Sequence, residues 1–230
     1  MTYPSVAAMQ LHVRSRFLEG LPPADLNSIL ASATPRQYLA GTIVTNQGDS
    51  AENYFLLTRG RARYFFVTED GHKLPLHWIG PGETFGGFAL LANPSNYLVS
   101  TETLRDSCVL RWDRRTIRSL SARYPRLLEN ALLTAADYLT LALAAHIALS
   151  CHDARQRLAE ILLDYAHNFG QKVRSGTELE VTNEELASAA NLTLFTTSRL
   201  LSEWQRQGAI VKRRGKILLR CPEKLFRIAA

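Results

Sequence analysis

The apolar residues of this chain change their spacing along its length, and each spacing predicts a different kind of element. Residues 9–20 and 22–33 have the pattern of two short helices. From residue 36 to residue 112, short β-prone runs alternate with glycine, which is typical of a small β-barrel or jelly roll. Seven strands are predicted there, at residues 37–39, 42–45, 54–58, 61–67, 73–79, 98–103 and 108–112. The side chains expected in its core are Phe55, Leu57, Leu76 and Trp78.

A much longer helix is predicted to begin at Pro125 and to continue to about Ser150. Seven of its residues recur at alternating spacings of four and three, a heptad-like seam that indicates pairing with a second copy of the helix. These residues are Leu128, Leu132, Ala135, Leu139, Ala142, His146 and Leu149. Tyr138 and Leu141 lie on other faces, so we expect one side against the β-roll and another against a second subunit. The alternatives are a core helix of one chain and a membrane span, which Asp137 makes costly.

The chain then returns to short elements. Asp153 is expected to cap a helix over residues 154–167, because its carboxylate can accept hydrogen bonds from free N–H groups of the first turn. A polar loop at residues 171–177 and a short strand at residues 179–181 follow. This segment therefore predicts a hinge and a helix that lead into the last part of the chain.

Residues 181–217 have the pattern of two short helices, a turn and a basic hairpin. Thr182 predicts a capping box with Glu185 at the first helix. Thr193 can cap a second helix that runs from residue 194 to about residue 207 and ends before Gly208. Two β-prone pieces, at residues 209–211 and 217–219, flank a basic turn. The pattern predicts a winged helix-turn-helix, whose second helix has a width suited to the major groove of DNA.

The distribution of charge makes double-stranded DNA the expected partner. The net charge is +6, and the segment from Arg199 to the C-terminus holds nine basic and two acidic residues. This excess falls on the second helix and the hairpin, where it can lie against phosphates. A plain helical hairpin with a solvated charged face is the alternative. The candidate DNA contacts are Thr182, Thr193, Leu194, Phe195, Thr196, Ser198, Arg199, Lys212, Arg213, Arg214 and Lys216.

Length and composition restrict the class of protein. The chain has 230 residues, enough for a sensor domain at residues 1–124, a dimerisation helix and hinge at residues 125–152 and a DNA-binding domain at residues 153–230. No long apolar run precedes the first charges, so we expect a cytoplasmic protein without a secretory signal. A cupin-type enzyme would need clustered metal ligands, whereas His72 and His77 fall on opposite faces of a strand. We expect no enzymatic activity.

The order of these elements, together with several short motifs, resembles the cyclic-AMP receptor protein/FNR family of bacterial transcription regulators over nearly the whole chain. The matching motifs are residues 41–44 with residues 47–51, residues 54–60, residues 80–86, Asp153 with residues 157–159, and residues 193–199. The resemblance implies an α+β fold with an N-terminal cyclic-nucleotide-binding-like β-roll, a long dimerisation helix and a C-terminal winged helix-turn-helix. It also implies a homodimer that binds a palindromic operator, responds to a signal in its β-roll and contacts RNA polymerase.

The expected effector pocket departs from the members that bind cyclic nucleotides. In those members a glutamate takes the ribose hydroxyl and an arginine takes the cyclic phosphate. Gly87 stands here at the position of the glutamate, and Tyr97 and Leu98 stand at the position of Arg-Ser. A buried phosphate would lack its charged partner, so we expect no cyclic-AMP site of the family type. The pocket residues are Gly86, Gly87, Phe88, Ala89, Leu90, Tyr97 and Leu98, and they are expected either to admit a small, weakly polar ligand or to close the pocket.

No cofactor is assigned from the sequence. An iron–sulfur cluster with four thiolate ligands is excluded within one chain, because the cysteines are Cys108, Cys151 and Cys221. Haem needs as little as one histidine, so a haem-responsive or redox-responsive regulator stays an alternative, as does a regulator that needs no ligand. The histidine candidates are His12, His72, His77, His146, His152 and His167.

The expected reading helix also departs from the family. Well-known members place Arg-Glu early in this helix, where Leu194 and Phe195 stand here. Neither side chain can form two hydrogen bonds to guanine, but either can contact a thymine methyl. Packing of Phe195 into the core is the alternative for that residue. Arg199 matches the family's arginine one turn later and is the main candidate for base reading, with a phosphate contact as its alternative. We expect a half-site that differs from TGTGA and TTGAT.

Overall fold

The computed structural model describes residues 14–213, 215–222 and 225. The chain divides into two compact units, Met1–Leu139 and Thr140–Ala230. The fold class expected from the sequence is confirmed: a β-roll, a long helix and a winged helix-turn-helix follow one another. The division falls inside the long helix, and the boundaries expected at residues 124 and 152 stay predictions.

The first unit is built on two antiparallel sheets of four strands. The strands are β1 (Thr34–Tyr38), β2 (Ile43–Thr45), β3 (Asn53–Arg59), β4 (Ala62–Val67), β5 (Lys73–Ile79), β6 (Thr84–Phe85), β7 (Ser100–Thr103) and β8 (Ser107–Asp113). Their orders are β1-β8-β3-β6 and β2-β7-β4-β5. Gly60 makes the turn from β3 to β4 with φ of +98°, and a Cβ atom there would lie 2.3 Å from the Ser107 hydroxyl. Only glycine fits this turn without strain.

Strand β3 has both faces covered, which explains its unbroken apolar run. Phe55 and Leu57 belong to one core cluster, together with Ile79, Phe85 and Val109. The alternate residues Tyr54 and Leu56 belong to a second cluster, whose other members include Phe17, Ile29, Trp112, Ile117 and Leu127. Because successive side chains of a strand point to opposite faces, a strand buried on both sides is apolar throughout.

The expectation that Leu76 lies in the core is wrong, whereas Phe55, Leu57 and Trp78 are buried as expected. Leu76 is 51% exposed. Tyr64 of β4 pairs with His77, and the next residue pairs with Pro75, so a bulge skips Leu76. A bulge shifts the register by one residue and turns side chains to the other face.

Three helices belong wholly or largely to the first unit. They are α1 (Pro23–Ala31), α2 (Arg114–Arg123) and α3 (Arg126–Cys151). Pro23 is the first residue of α1, where its missing N–H costs no hydrogen bond. The predicted helix over residues 9–20 is wrong in its described part, which forms only a 3-10 turn at Arg16–Leu18; residues 9–13 and His12 lie outside the described residues.

The second unit joins three helices to a four-stranded sheet. Its helices are α4 (Ala154–Phe169), α5 (Asn183–Ala189) and α6 (Leu194–Arg206), and its strands are β9 (Gln171–Val173), β10 (Gly176–Glu180), β11 (Ile210–Arg213) and β12 (Lys216–Leu219). The sheet order is β11-β12-β10-β9. The expectation of a polar loop at residues 171–177 is wrong in part, because residues 171–173 form β9 and residues 176 and 177 begin β10. β9 is an exposed edge strand held by backbone pairing with β10, so its side chains carry no apolar alternation.

Helix α3 buries only a short part of its surface within the chain. Leu127 and Asn130 are buried, and the Asn130 amide donates to the backbone carbonyls of Phe17 and Glu19 at 3.0 and 2.9 Å. Tyr138 packs edge-on against the ring of Tyr64. All seven seam residues are exposed in the single chain. The alternative of a core helix within one chain is therefore wrong.

Candidate functional site

The first helix of the candidate site begins with the capping box expected from the sequence. The Thr182 hydroxyl accepts from the backbone N–H of Glu185 at 3.1 Å, and the Glu185 carboxylate accepts from the N–H of Thr182 at 2.7 Å. Asn191 then takes a left-handed conformation with φ of 51°, and the Leu192 N–H donates to the Ala187 carbonyl. This short turn sets the direction in which the second helix, α6, begins.

Helix α6 is capped by Thr193 and has two distinct faces. The Thr193 hydroxyl accepts from the N–H of Thr196 at 3.1 Å and lies 2.9 Å from the Thr196 hydroxyl. The buried face consists of Thr197, Leu200, Leu201 and Trp204. These residues recur at spacings of three and four, so they form one stripe that holds the helix on its domain.

The opposite face of α6 begins with two exposed apolar side chains. Phe195 is 78% exposed and Leu194 is 47% exposed. The alternative that Phe195 packs into the core is wrong. Phe195 lies two residues before Thr197, and residues two apart in a helix point to different sides, so its side chain faces away from the buried stripe. Arg199 lies one turn after Phe195 and is exposed, and Ser198 is half-buried beside it. The structure thus brings Leu194, Phe195, Ser198 and Arg199 to the accessible side of one helix.

The hairpin of β11 and β12, which we call the wing, presents basic residues beside α6. Arg213 pairs with Lys216 across its end, and Gly215 turns the chain with φ of +70°. The backbone N–H of Lys212 donates to the Gln205 side chain at 2.9 Å, which ties the wing to α6. Arg214 lies outside the described residues. The wing and the exposed face of α6 therefore belong to one surface of the second unit.

Two glutamates of β10 partly neutralise the wing, a feature that the sequence analysis missed. Lys216 Nζ lies 2.7 Å from a carboxylate oxygen of Glu178 and 3.4 Å from Glu180, and Arg213 lies 3.6 Å from Glu178. The hydrogen bond from Lys216 lowers the pKa of Glu178 and raises the pKa of Lys216. The alternation of Glu178, Leu179 and Glu180 placed both carboxylates on one face of a strand, but only the sheet pairing showed which residues they meet.

Replacing Glu178 with glutamine is expected to strengthen binding to non-specific duplex DNA and to steepen its salt dependence. Lys216 would lose its closest carboxylate and keep only the more distant Glu180, so it could turn to a phosphate, which adds up to about one unit to the slope of log K against log salt for each protomer. Fluorescence anisotropy over a salt series measures both quantities. Glu69→Gln is the matched control, because Glu69 is exposed in the first unit and its replacement removes the same charge outside the winged domain. Equal shifts in the two variants would contradict a specific role of Glu178.

The helix before the site is fixed to it by arginines. Asp153 caps α4, as expected, with hydrogen bonds from the backbone of Arg155 and Gln156. The Arg155 guanidinium donates to both carboxylate oxygens of Glu203 in α6 at 2.9 Å. The Arg157 guanidinium donates to the Ala190 carbonyl at the end of α5. Sequence reasoning did not identify the pair of Arg155 and Glu203, because the two residues are distant along the chain.

In the first unit, the expected pocket residues surround a tight backbone turn. Gly86 has φ of +81° and precedes a 3-10 turn at Gly87–Leu90, and a Cβ atom at Gly86 would lie 2.5 Å from the Asn53 carbonyl. Ala89 is buried in the core cluster of Tyr54 and Trp112. By contrast, a Cβ atom at Gly87 would meet no atom within 4 Å. Space for a larger side chain therefore exists at Gly87, and the chain does not use it.

Tyr97 uses its hydroxyl to hold the same part of β3. The hydroxyl accepts from the backbone N–H of Asn53 at 3.0 Å and donates to the Asn53 carbonyl at 2.9 Å. Burial raises the pKa of Tyr97. Phe88 and Leu98 are exposed, and Leu90 is half-buried. Of the expected pocket residues, the structure thus brings Gly86 and Tyr97 to one backbone segment, while Phe88 and Leu98 face solvent.

The residues considered for a metal or haem are dispersed. No group of three or more potential metal ligands occurs among the residues that the structure describes. His72 pairs with Asp70 at 3.3 Å and His152 pairs with Glu160 at 2.9 Å, whereas His77 lies 3.6 Å from Glu83. His146 and His167 are exposed. Cys108 is buried, Cys221 is half-buried and Cys151 is exposed.

Two families match successive parts of the chain. Residues 35–124 match the cyclic nucleotide-binding domain, and residues 156–228 match the Crp-like helix-turn-helix domain. The Cyclic AMP receptor protein of Thermus thermophilus is 27% identical over 215 residues, which cover 94% of this chain and 97% of that protein.

Solved structures have the same fold. FixK2 from Bradyrhizobium japonicum is 22% identical, with a TM-score of 0.75 and coverage of 86% of this chain and 98% of that chain. The c-di-GMP responsive global regulator CLP from Xanthomonas campestris is also 22% identical, with a TM-score of 0.76 and coverage of 87% and 100%. At this level of identity the likeness shows the arrangement of elements alone.

Proposed function

Since the chain belongs to the Crp/Fnr family of transcription regulators, we propose that it acts as a homodimer that binds a palindromic operator through α6 and the wing. Its helix-turn-helix is a DNA-binding domain, and its relatives are regulators rather than enzymes. The observation that carries the proposal is the accessible face of α6 with basic wing residues beside it.

The homodimer is supported by the exposed seam of α3. Leu132 and Leu139 are among the most exposed large apolar side chains, and five further seam residues are exposed on the same stripe. Among the described residues, α3 is also the one helix long and apolar enough to cross a membrane by length and composition. A second copy of α3 would cover this surface through knobs-into-holes packing. We therefore interpret α3 as a dimerisation helix of a cytoplasmic protein and not as a membrane span.

The operator contacts follow from the two faces of α6. We assign Arg199 to a base edge and Ser198 to a base edge or a phosphate, since both lie on the accessible side of the helix. Thr182, Thr193 and Thr196 lie at helix starts, and Lys212, Arg213 and Lys216 belong to the wing. We assign all of these to phosphates, together with Arg214, which lies outside the described residues. RNA polymerase is proposed as the further partner, because the relatives are transcription regulators.

The signal that controls the regulator is proposed to differ from cyclic AMP. Tyr97 has its hydroxyl committed to Asn53 and cannot supply a positive charge, and Gly87 has no group for a ribose hydroxyl. The specific alternative is a regulator that needs no ligand, which the inward placement of Ala89 and Tyr97 favours. The second alternative is a small, weakly polar ligand beside Gly87, where a Cβ atom would meet no atom within 4 Å.

Cyclic AMP is therefore expected to leave the melting temperature of the protein unchanged. A ligand at one hundred times its Kd would stabilise the folded state by about 2.7 kcal/mol, an effect that thermal unfolding detects readily. The Cyclic AMP receptor protein of Thermus thermophilus is the positive control. A clear rise in melting temperature of this protein at millimolar cyclic AMP would contradict the proposal for the β-roll, while leaving DNA binding intact.

Selection of binding sites from random duplex DNA by the full chain tests the function as a whole. We expect recovery of a palindrome whose half-sites differ from TGTGA and TTGAT, because Leu194 and Phe195 cannot read guanine and cytosine as an Arg-Glu pair does. Recovery of either of those half-sites would contradict the assignment of the reading residues. If the selection enriches no sequence and the protein shows no salt-dependent binding to duplex DNA, DNA binding itself is contradicted.

A further inference from the structure

The first turn of α6 presents Leu194 and Phe195 to solvent, and we propose that these two side chains read 5-methyl groups of thymine in each half-site. This inference rests on the proposed function and specifies the sequence class that the regulator recognises. It assigns specificity to residues that carry no hydrogen-bonding group.

The exposure of Phe195 is the first observation. At 78% it exceeds that of every other large apolar side chain among the described residues. Leaving an aromatic ring in water forgoes the favourable free energy of burying its apolar surface. A contact in the DNA complex would recover part of this energy.

The surroundings of the pair identify duplex DNA as the occupant. Arg199 follows one turn later on the same face, and the wing places Lys212 and Arg213 beside the helix. In a helix-turn-helix, the first residues of the second helix contact base edges. The apolar pair thus lies at the end of α6 that enters the groove, in continuity with the DNA-binding surface of the domain.

The hydroxyl groups of the first turn do not compete for these bases. The Thr193 hydroxyl accepts from the N–H of Thr196, and the two threonine hydroxyls lie 2.9 Å apart. Both groups lie at the start of the helix and are assigned to its cap and to phosphates. Leu194 and Phe195 are therefore the side chains of this turn that we assign to a base edge.

The chemistry of the major groove then selects the base. Its edges consist of hydrogen-bond donors and acceptors, together with the methyl group of thymine. Leucine and phenylalanine leave donors and acceptors unsatisfied, but they can bury the methyl group. Arg199 is four residues after Phe195 and so lies about 6 Å further along the helix, which corresponds to one or two base pairs at about 3.4 Å each. We infer a half-site in which thymine lies one or two base pairs from a guanine.

Replacement of thymine by deoxyuridine tests this inference, because it removes only the methyl group. The operator recovered by selection is synthesised with deoxyuridine at each thymine in turn, and its affinity for the full chain is measured. We expect one position in each half-site to weaken binding by about fourfold, the factor that corresponds to about 0.8 kcal/mol for one buried carbon. Deoxyuridine outside the half-sites is the control on the DNA.

The matching protein variants are Leu194→Ala and Phe195→Ala, whose side chains lie outside the core. At least one of them is expected to bind the thymine and deoxyuridine operators equally, whereas Arg199→Ala retains the fourfold difference. If no deoxyuridine position weakens the original protein, or if both alanine variants keep the difference, methyl reading is overturned while DNA binding stands. A protein that binds no DNA would overturn the proposed function, and this inference with it.

Discussion

Replacing Leu139 with glutamate is expected to convert the protein into a monomer and to abolish binding to its operator. Leu139 is 62% exposed in the single chain and occupies the middle of the seam of α3. In a dimer, the variant would bury two carboxylates without partners, each at a cost of about 3–5 kcal/mol. The dimer dissociation constant would rise by about 10⁴-fold or more. Sedimentation equilibrium at micromolar concentration measures this change directly.

Ala144→Glu is the matched control for the seam. Ala144 is exposed and lies on the side of α3 opposite to Leu139 and Ala142, at the position of the heptad that is furthest from the partner. It is expected to leave the dimer intact. Because neither residue contributes to a buried core in the single chain, both variants are expected to keep their folded circular dichroism spectrum. A Leu139→Glu variant that remains dimeric would show that the copies associate through a different surface.

Replacing Arg199 with alanine is expected to weaken specific binding by about 1–3 kcal/mol and to relax the preference for one base in each half-site. The guanidinium can donate two hydrogen bonds to a guanine, and the other arginine of α6, Arg206, lies in the last turn, away from the end assigned to the groove. Binding titrations with the selected operator and with single-base variants measure the loss. The expected signature is a loss of discrimination at one position, with smaller changes elsewhere.

Two further variants separate base reading from general attraction to phosphates. Arg199→Lys keeps the charge but lacks the planar fork, so it is expected to lose discrimination while retaining non-specific affinity. Arg206→Ala removes the same charge from the last turn of α6 and is expected to weaken binding to all sequences about equally. If Arg199→Ala weakens all sequences to the same extent, Arg199 contacts a phosphate and does not read a base.

Local signals predicted the helix-turn-helix well. Thr182, Asp153 and Thr193 cap helices as expected, because a cap depends on residues two or three positions away along the chain. The buried stripe of α6 follows from helical periodicity for the same reason. The exposure of Phe195 was less certain from the sequence, since an aromatic residue in a first turn can pack inward or face solvent. Its position relative to Thr197 and Leu200 decided the question.

Predictions that depended on pairing between distant segments were less successful. The bulge that exposes Leu76 arises from the register between β4 and β5. The edge strand β9 has no apolar alternation, because backbone hydrogen bonds to β10 hold it in place. Neither property is encoded within a short window of residues, so neither could be read from local patterning.

The sequence by itself determined the order of the elements, the apolar seam of α3 and the unusual reading pair Leu194 and Phe195, because caps and periodicities are properties of neighbouring residues. Only the tertiary structure decided that Glu178 restrains Lys216 and that Tyr97 holds the backbone of Asn53. These contacts join residues that are 38 and 44 positions apart. Pairing of β10 with β12 brings Lys216 to Glu178, and an isolated bridge between Ser50 and Asn96 brings Tyr97 near Asn53. No local pattern states which of these partners will meet.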